Sequence, residues 1–149
     1  GDKRVRGRLA EAQIKNREYE DAETIAQALV QAAPENAEWQ YLLGETLFQQ
    51  RRADEALPHL ETARKLRPDD LPTLEALGRT YLQLDRVKEA IPLLERARPI
   101  DEGPIELALS SAYRRVGREQ DAVAALARYR ELQTLPAPAA TEPTPIPAP

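Results

Sequence analysis

Apolar residues along this chain recur at three- and four-residue steps, and the whole pattern repeats every 34 residues. Leu43 and Leu47, then Leu57, Leu60, Ala63 and Leu66, follow the spacing of two amphipathic helices. The segment Ala37-Glu-Trp-Gln-Tyr-Leu-Leu-Gly44 is followed by Ala56, Leu60, Ala63 and Pro68. The segment Leu71-Pro-Thr-Leu-Glu-Ala-Leu-Gly78 is followed by Tyr81, Ala90, Leu94 and Ala97. Leu43-Gly44 to Leu77-Gly78, Ala56 to Ala90, Leu60 to Leu94 and Ala63 to Ala97 are each 34 residues apart. A period of this length marks stacked structural repeats rather than one central core.

The outer copies keep the phase. Upstream, Leu9-Ala10 stands for Leu-Gly, followed by Ala22 and Leu29, and Pro34 lies 34 residues before Pro68. Downstream, Leu109-Ser110, Tyr113, Ala122 and Leu126 make a fourth copy if the third is two residues short. The units are 3–36, 37–70, 71–102 and 103–135, each read as two helices. Together they form one domain over 1–135, and 136–149 is a Pro/Ala-rich tail or linker.

Small residues mark the expected helix crossings. Ala10, Gly44, Gly78 and Ser110 fall midway along each first helix, and Ala22, Ala56, Ala90 and Ala122 are expected to face them. A glycine inside a helix costs about 1 kcal/mol against alanine, so its use there implies close approach. Pro58 and Pro92 fall within or next to the first turn of a second helix, where a missing N–H is largely unneeded. Asp54 is expected to cap one second helix, the Asp69-Asp70 pair the helix that follows it, and Pro34 and Pro68 to end their units.

Leu-Gly, then Tyr or Leu, then Ala, Leu or Phe, Ala and Pro at these offsets resembles the tetratricopeptide repeat. The resemblance covers about 130 of the 149 residues. Units two and three match closely. Unit one carries Gln13 where an aromatic is usual and Ala26 where a larger apolar residue is usual. Unit four lacks the closing proline, and Trp39 stands one position early. The resemblance implies an all-α, right-handed superhelical solenoid of four helix-turn-helix repeats. It also implies that first helices line a concave wall and second helices an outer one.

Mapped onto this chain, the implied concave wall shows Arg4, Arg8, Glu11 and Lys15 from unit one. Unit two adds Glu38, Tyr41, Leu42, Glu45, Phe48 and Gln49. Unit three supplies Glu75, Ala76, Arg79, Leu82 and Gln83, and unit four Leu107, Ala108, Ser111, Arg114 and Arg115. Tyr41, Phe48 and Leu82 would be apolar anchors among charges, the make-up of a peptide hot spot. The competing reading buries Tyr41 and Phe48 between units. Relatives that clamp a chaperone's C-terminal carboxylate use lysine and asparagine at positions held here by Gly7, Glu11, Leu42, Pro72 and Ala76, none of which can serve. The acidic centre and the arginines beyond it suit a ligand with apolar residues and a basic portion, running toward an acidic end.

Composition narrows the function further. Hydrophobic residues make 42% and charged residues 31% of the chain, and with one Phe and one Trp the core must be mostly Leu and Ala. No apolar run approaches the roughly 18 residues a membrane helix needs, so direct membrane insertion is not expected. Zero cysteines exclude disulfides and thiolate metal sites. A pI near 5.2 and a net charge of −4 oppose nucleic-acid binding, despite basic groups at Lys3, Arg4, Arg6, Arg8 and Arg114-Arg115-Arg118. His59 is the single histidine, without a second to share a metal, and is assigned a structural or solvated role. Ser110 fills a packing slot rather than acting as a nucleophile, and the six glycines are dispersed rather than gathered in a phosphate loop. No catalytic residue, metal or cofactor is expected.

The expected function is therefore a non-catalytic protein-interaction module that binds an extended or helical peptide in the groove. The alternatives are a structural module that assembles through its repeat ends, or an accessory domain of a larger enzyme. Heavy use of Ala, Arg, Leu and Pro points to a bacterial gene. A start at Gly-Asp-Lys with no Met suggests a processed or excised fragment, so cytoplasm and periplasm both stay open. From Thr134 to Pro149 there are six prolines and one charge, which excludes helix there. That segment is a linker, or it docks on the last unit or on another molecule. Leu126, Tyr129 and Leu132 of the final helix should be partly exposed unless something covers them.

Overall fold

The computed structural model describes residues 2–135, and the expectations for the tail at 136–149 lie outside the described residues. The described chain is all helical. Its elements are α1 (Asp2–Lys15), α2 (Tyr19–Ala32), α3 (Ala37–Gln49), α4 (Ala53–Leu66), α5 (Leu71–Gln83), α6 (Val87–Ala97), α7 (Pro104–Arg115) and α8 (Glu119–Thr134). A short 3-10 turn, Arg98–Ile100, follows α6.

The helices form two layers. First helices touch in chain order, α1 on α3, α3 on α5 and α5 on α7. Each second helix packs on the first helix of its own unit, and α2, α4 and α6 also pack on that of the next. The result is a solenoid, with its buried leucines strung along the axis: Leu29, Leu60, Leu74, Leu77, Leu94 and Leu109 are all at most 2% exposed. Burying each such side chain contributes about 1.5–3 kcal/mol, so stability is spread along the stack.

The glycine crossings exist, but with a different partner. A Cβ at Gly44 would lie 2.5 Å from Leu60 Cγ, and one at Gly78 2.7 Å from Leu94 Cγ. Ala56 and Ala90 are fully buried nearby, and the Ala90 carbonyl oxygen is 3.4 Å from the Gly78 position. The side chain facing each glycine is thus the leucine one turn further along the second helix. Gly7 is likewise buried, and a Cβ there would collide with the Trp39 ring. Trp39 therefore fills the junction between α1 and α3.

Helix starts follow local chemistry. Asn36 Oδ1 accepts from the Trp39 amide at 3.2 Å, and Asp70 Oδ2 accepts from the Thr73 amide at 3.1 Å. Asp54 is not the cap of α4. Arg52 holds the cap position without a side-chain bond to the helix, and Asp54 lies inside the first turn, where its charge favours the helix dipole. Pro58 and Pro92 each take the sixth position of their helix, one turn in, and both are exposed. The carbonyls they leave without an amide belong to Asp54 and Lys88, which are also exposed.

The turn within each unit uses one left-handed residue. These are Arg17 (φ 65°), Arg51 (65°), Asp85 (62°) and Gly117 (80°), in register with the repeat. Only the last is glycine, so three turns carry a side chain where L-residues are disfavoured. At the shortened third unit Asp101 rebuilds the corner. Its carboxylate accepts from the amides of Gly103 (2.8 Å), Ile105 (2.9 Å) and Glu106 (2.8 Å). Beneath it Glu106, 3% exposed, accepts from Arg98 at 2.8 Å and Arg128 at 3.2 Å.

Candidate functional site

The first-helix wall brings together most of the residues expected to line a groove. Arg8, Glu11, Lys15 and Glu38 are exposed, and Tyr41, Glu45, Phe48, Glu75, Arg79 and Leu82 are half-buried. Ser111, Arg114 and Arg115 are exposed on α7. Leu42 and Ala76 are not wall residues: they are 3% and 1% exposed and belong to the core, because their helix face turns toward the neighbouring first helix. Leu42 reaches the wall only as the floor of a cavity.

Tyr41 stands between two cavities. One, of about 170 Å3, is bounded by Glu11, Glu38, Arg67, Asp70 and Pro72. The other, of about 310 Å3, is bounded by Glu11, Ile14, Lys15, Leu42 and Glu45. Burial, with the Glu45 and Glu75 carboxylates nearby, raises the Tyr41 hydroxyl pKa well above the ordinary phenol value, so it stays a protonated donor. Next along the wall, the Arg79 guanidinium lies 4.6 Å over the Phe48 ring and bonds Glu75 at 3.2 Å. Gln49 donates to Glu45 at 2.6 Å.

The arginines at the far end are tied locally. Arg115 pairs with Asp85, and Arg114 lies 3.9 Å from Glu119. The wall thus carries mixed charge on α1, where Arg8 and Lys15 flank Glu11, carboxylates on α3, an Arg79–Glu75 pair on α5 and arginines on α7, with part of that last basic charge already compensated.

The polar residues singled out elsewhere serve the scaffold. His59 Nδ1 contacts Gln40 Oε1 at 2.8 Å, and Gln40 Nε2 donates to the Pro34 carbonyl at 2.7 Å, linking α4 to α3 and to the α2–α3 corner. Desolvation lowers the His59 pKa below the ordinary imidazole value. Ser110 Oγ donates to the Ala122 carbonyl at 2.9 Å across the α7–α8 crossing. Among the described residues no three His, Asp or Glu side chains gather as a metal site, and no helix is long and apolar enough to cross a membrane.

Sequence reasoning missed the second-helix wall. Arg52, Arg86 and Arg118 recur in register at the start of the second helices of units two to four, α4, α6 and α8, paired with Glu55, Glu89 and Asp121 three residues on. Each also reaches the unit before it or the tyrosine beside it: Arg52 bonds Glu23 at 2.7 Å, and Arg86 and Arg118 lie over Tyr81 and Tyr113. The signal was present as Arg-x-x-Glu or Asp at the repeat period.

An all-α stack of helix pairs with a continuous first-helix wall defines a repeat protein of the scaffold class. The family model described as "Anaphase-promoting complex, cyclosome, subunit 3" matches residues 15–97. The chain belongs to this tetratricopeptide-repeat family. Among solved structures, MamA AMB-1 is 25% identical with a TM-score of 0.70, covering 86% of this chain and 76% of MamA. TTC0263, a thermophilic TPR protein of Thermus thermophilus, is 24% identical with a TM-score of 0.73, over 89% and 74% of the two chains. MamA from Desulfovibrio magneticus RS-1 is 20% identical with a TM-score of 0.75, over 88% and 75%. The last two likenesses bear on the fold alone. No curated protein sequence matches this chain.

Proposed function

We propose that the first-helix wall binds an extended or helical polypeptide segment, and that the protein works by binding without catalysis. The observation that carries this is Tyr41, a protonated phenol set between two cavities whose rims carry Glu11, Glu38, Glu45 and Asp70 against Lys15 and Arg67. The ligand it suits offers an apolar side chain flanked by Lys or Arg. Phe48 under Arg79 extends the apolar track toward α7, where Arg114 and Arg115 meet an acidic portion. The bonding of Ser110 and His59 into the scaffold supports a role without a nucleophile or general base.

A displayed library of random peptides, selected on the wild-type protein, tests this. Enriched peptides should carry an apolar residue beside basic ones. Their binding should be lost in Tyr41→Ala with Phe48→Ala while far-UV circular dichroism is unchanged. Selection of acidic peptides, or binding that survives the double substitution, overturns the reading.

A second reading, assembly through the ends of the stack, has its own support. Val5 and Leu9 on α1 are 65% and 50% exposed, and Val123 on α8 is 57% exposed. Mass by light scattering against concentration distinguishes it, since end-to-end assembly raises mass and Val123→Glu lowers it.

A further inference from the structure

The junctions between successive units follow one plan, and the first departs from it at two positions together. At the second junction the Tyr81 hydroxyl donates to the Glu61 carboxylate of the preceding unit. At the third, the Tyr113 hydroxyl donates to Glu95 at 2.9 Å. A guanidinium lies on each ring, Arg86 at 4.6 Å from the Tyr81 centroid and Arg118 at 4.5 Å from that of Tyr113. Thirty-four residues before Tyr81 stands Leu47, and 34 residues before Glu61 stands Gln27. The arginine alone is kept: Arg52, 34 residues before Arg86, is braced by Glu55 at 2.6 Å and Glu23 at 2.7 Å.

A cavity of about 400 Å3 opens between α2 and α4, with Leu43 and Leu47 as its apolar floor and Glu23, Gln27 and Arg52 on its rim. At the third junction a hollow of about 470 Å3 also passes Glu95 and Arg118, but its apolar lining is Ile91, Pro92 and Val116 rather than first-helix leucines. The first junction therefore presents a seat for a phenol ring: apolar beneath, a fixed guanidinium for its face, and oxygen acceptors for its hydroxyl.

We propose that this notch, on the second-helix wall and away from the Tyr41 groove, binds the side chain of a tyrosine presented by another polypeptide. The incoming ring reproduces the contacts that Tyr81 and Tyr113 make within the chain. Its hydroxyl donates to Glu23 or Gln27 and its face meets Arg52. A leucine side chain has neither the hydroxyl nor the ring face for these contacts, so the notch selects an aromatic residue with a hydroxyl.

Heteronuclear NMR titration of the isotopically labelled protein with N-acetyltyrosinamide tests the proposal, with N-acetylphenylalaninamide and N-acetylleucinamide as controls. Amide shifts are expected at Glu23, Gln27, Val30, Leu43 and Leu47. Loss of one hydrogen bond makes the phenylalanine probe about fivefold weaker, and the leucine probe gives no local shift. Leu47→Tyr supplies the ring internally, so it should abolish the shifts and raise the melting temperature. Leu47→Phe is the second variant and should abolish them too. Tyr41→Ala with Phe48→Ala leaves the shifts unchanged, which separates this site from the groove. Wild-type shifts scattered elsewhere, shifts absent up to the probe's solubility limit, equal response to leucinamide, or shifts persisting in folded Leu47→Tyr overturn the proposal.

Discussion

Gly44 and Leu60 are in contact so close that a Cβ on the glycine would come within 2.5 Å of the leucine Cγ, and Gly78 and Leu94 repeat the relationship at 2.7 Å. Leu60 and Leu94 are fully buried, so neither can swing aside. Gly44→Ala would gain about 1 kcal/mol of helix propensity. Overpacking costs about 1–3 kcal/mol or more, and the net effect expected is a loss of stability. Gly44→Val should lose more. Chemical denaturation of both variants checks this, and an unchanged midpoint for the valine variant would contradict the crossing.

The left-handed turns make a prediction of opposite sign. Arg51 has φ 65° and an exposed side chain, in register with Gly117 at φ 80°. Relief of the left-handed conformation is worth about 1–2 kcal/mol, offset in part by the greater unfolded-state freedom of glycine. Arg51→Gly should therefore stabilise the protein by up to about 1 kcal/mol. Gly117→Arg should destabilise it by a similar amount. Paired thermal melts decide, and a stabilised Gly117→Arg protein would refute the argument.

His59 confers a pH dependence. Desolvation lowers its folded pKa below the unfolded value, so the unfolded chain binds the extra proton first. The His59 contribution is intact above the ordinary imidazole value of about 6.5 and is lost as pH falls through it. The melting temperature should drop more on acidification in the wild type than in His59→Gln. Equal drops would show that carboxylates alone govern the acid limb.

The ion pair between Arg115 and Asp85 ties α7 to the preceding intra-unit turn, with both side chains largely exposed. Exposed pairs are worth about 0–1 kcal/mol, so Arg115→Ala should barely change stability. Its effect should instead fall on peptide binding, weakening ligands with an acidic end in a manner that fades with added salt. A large loss of stability in Arg115→Ala would reassign the residue to the scaffold.

The sequence by itself determined the repeat period, the pairing of helices, the glycine positions and the cap at Asp70. All of these depend on spacing along one helix, or on a residue and its neighbours three or four positions away. The tertiary structure decided what lies opposite what. Leu60, rather than Ala56, meets Gly44 because the crossing point is set by the angle between two helices, which local spacing does not encode. Leu42 and Ala76 went to the core for a related reason: the contact of α1 with α3 and of α3 with α5 widens the buried stripe of each first helix beyond the Leu-Gly face. Asp54 lost the cap because the turn led by left-handed Arg51 starts the helix at Ala53. The notch beside Leu47 is legible only after Tyr81 and Tyr113 are seen reaching across their junctions. A leucine in place of a tyrosine is an ordinary substitution in a sequence, and the missing hydroxyl-to-carboxylate bond shows only between two packed units.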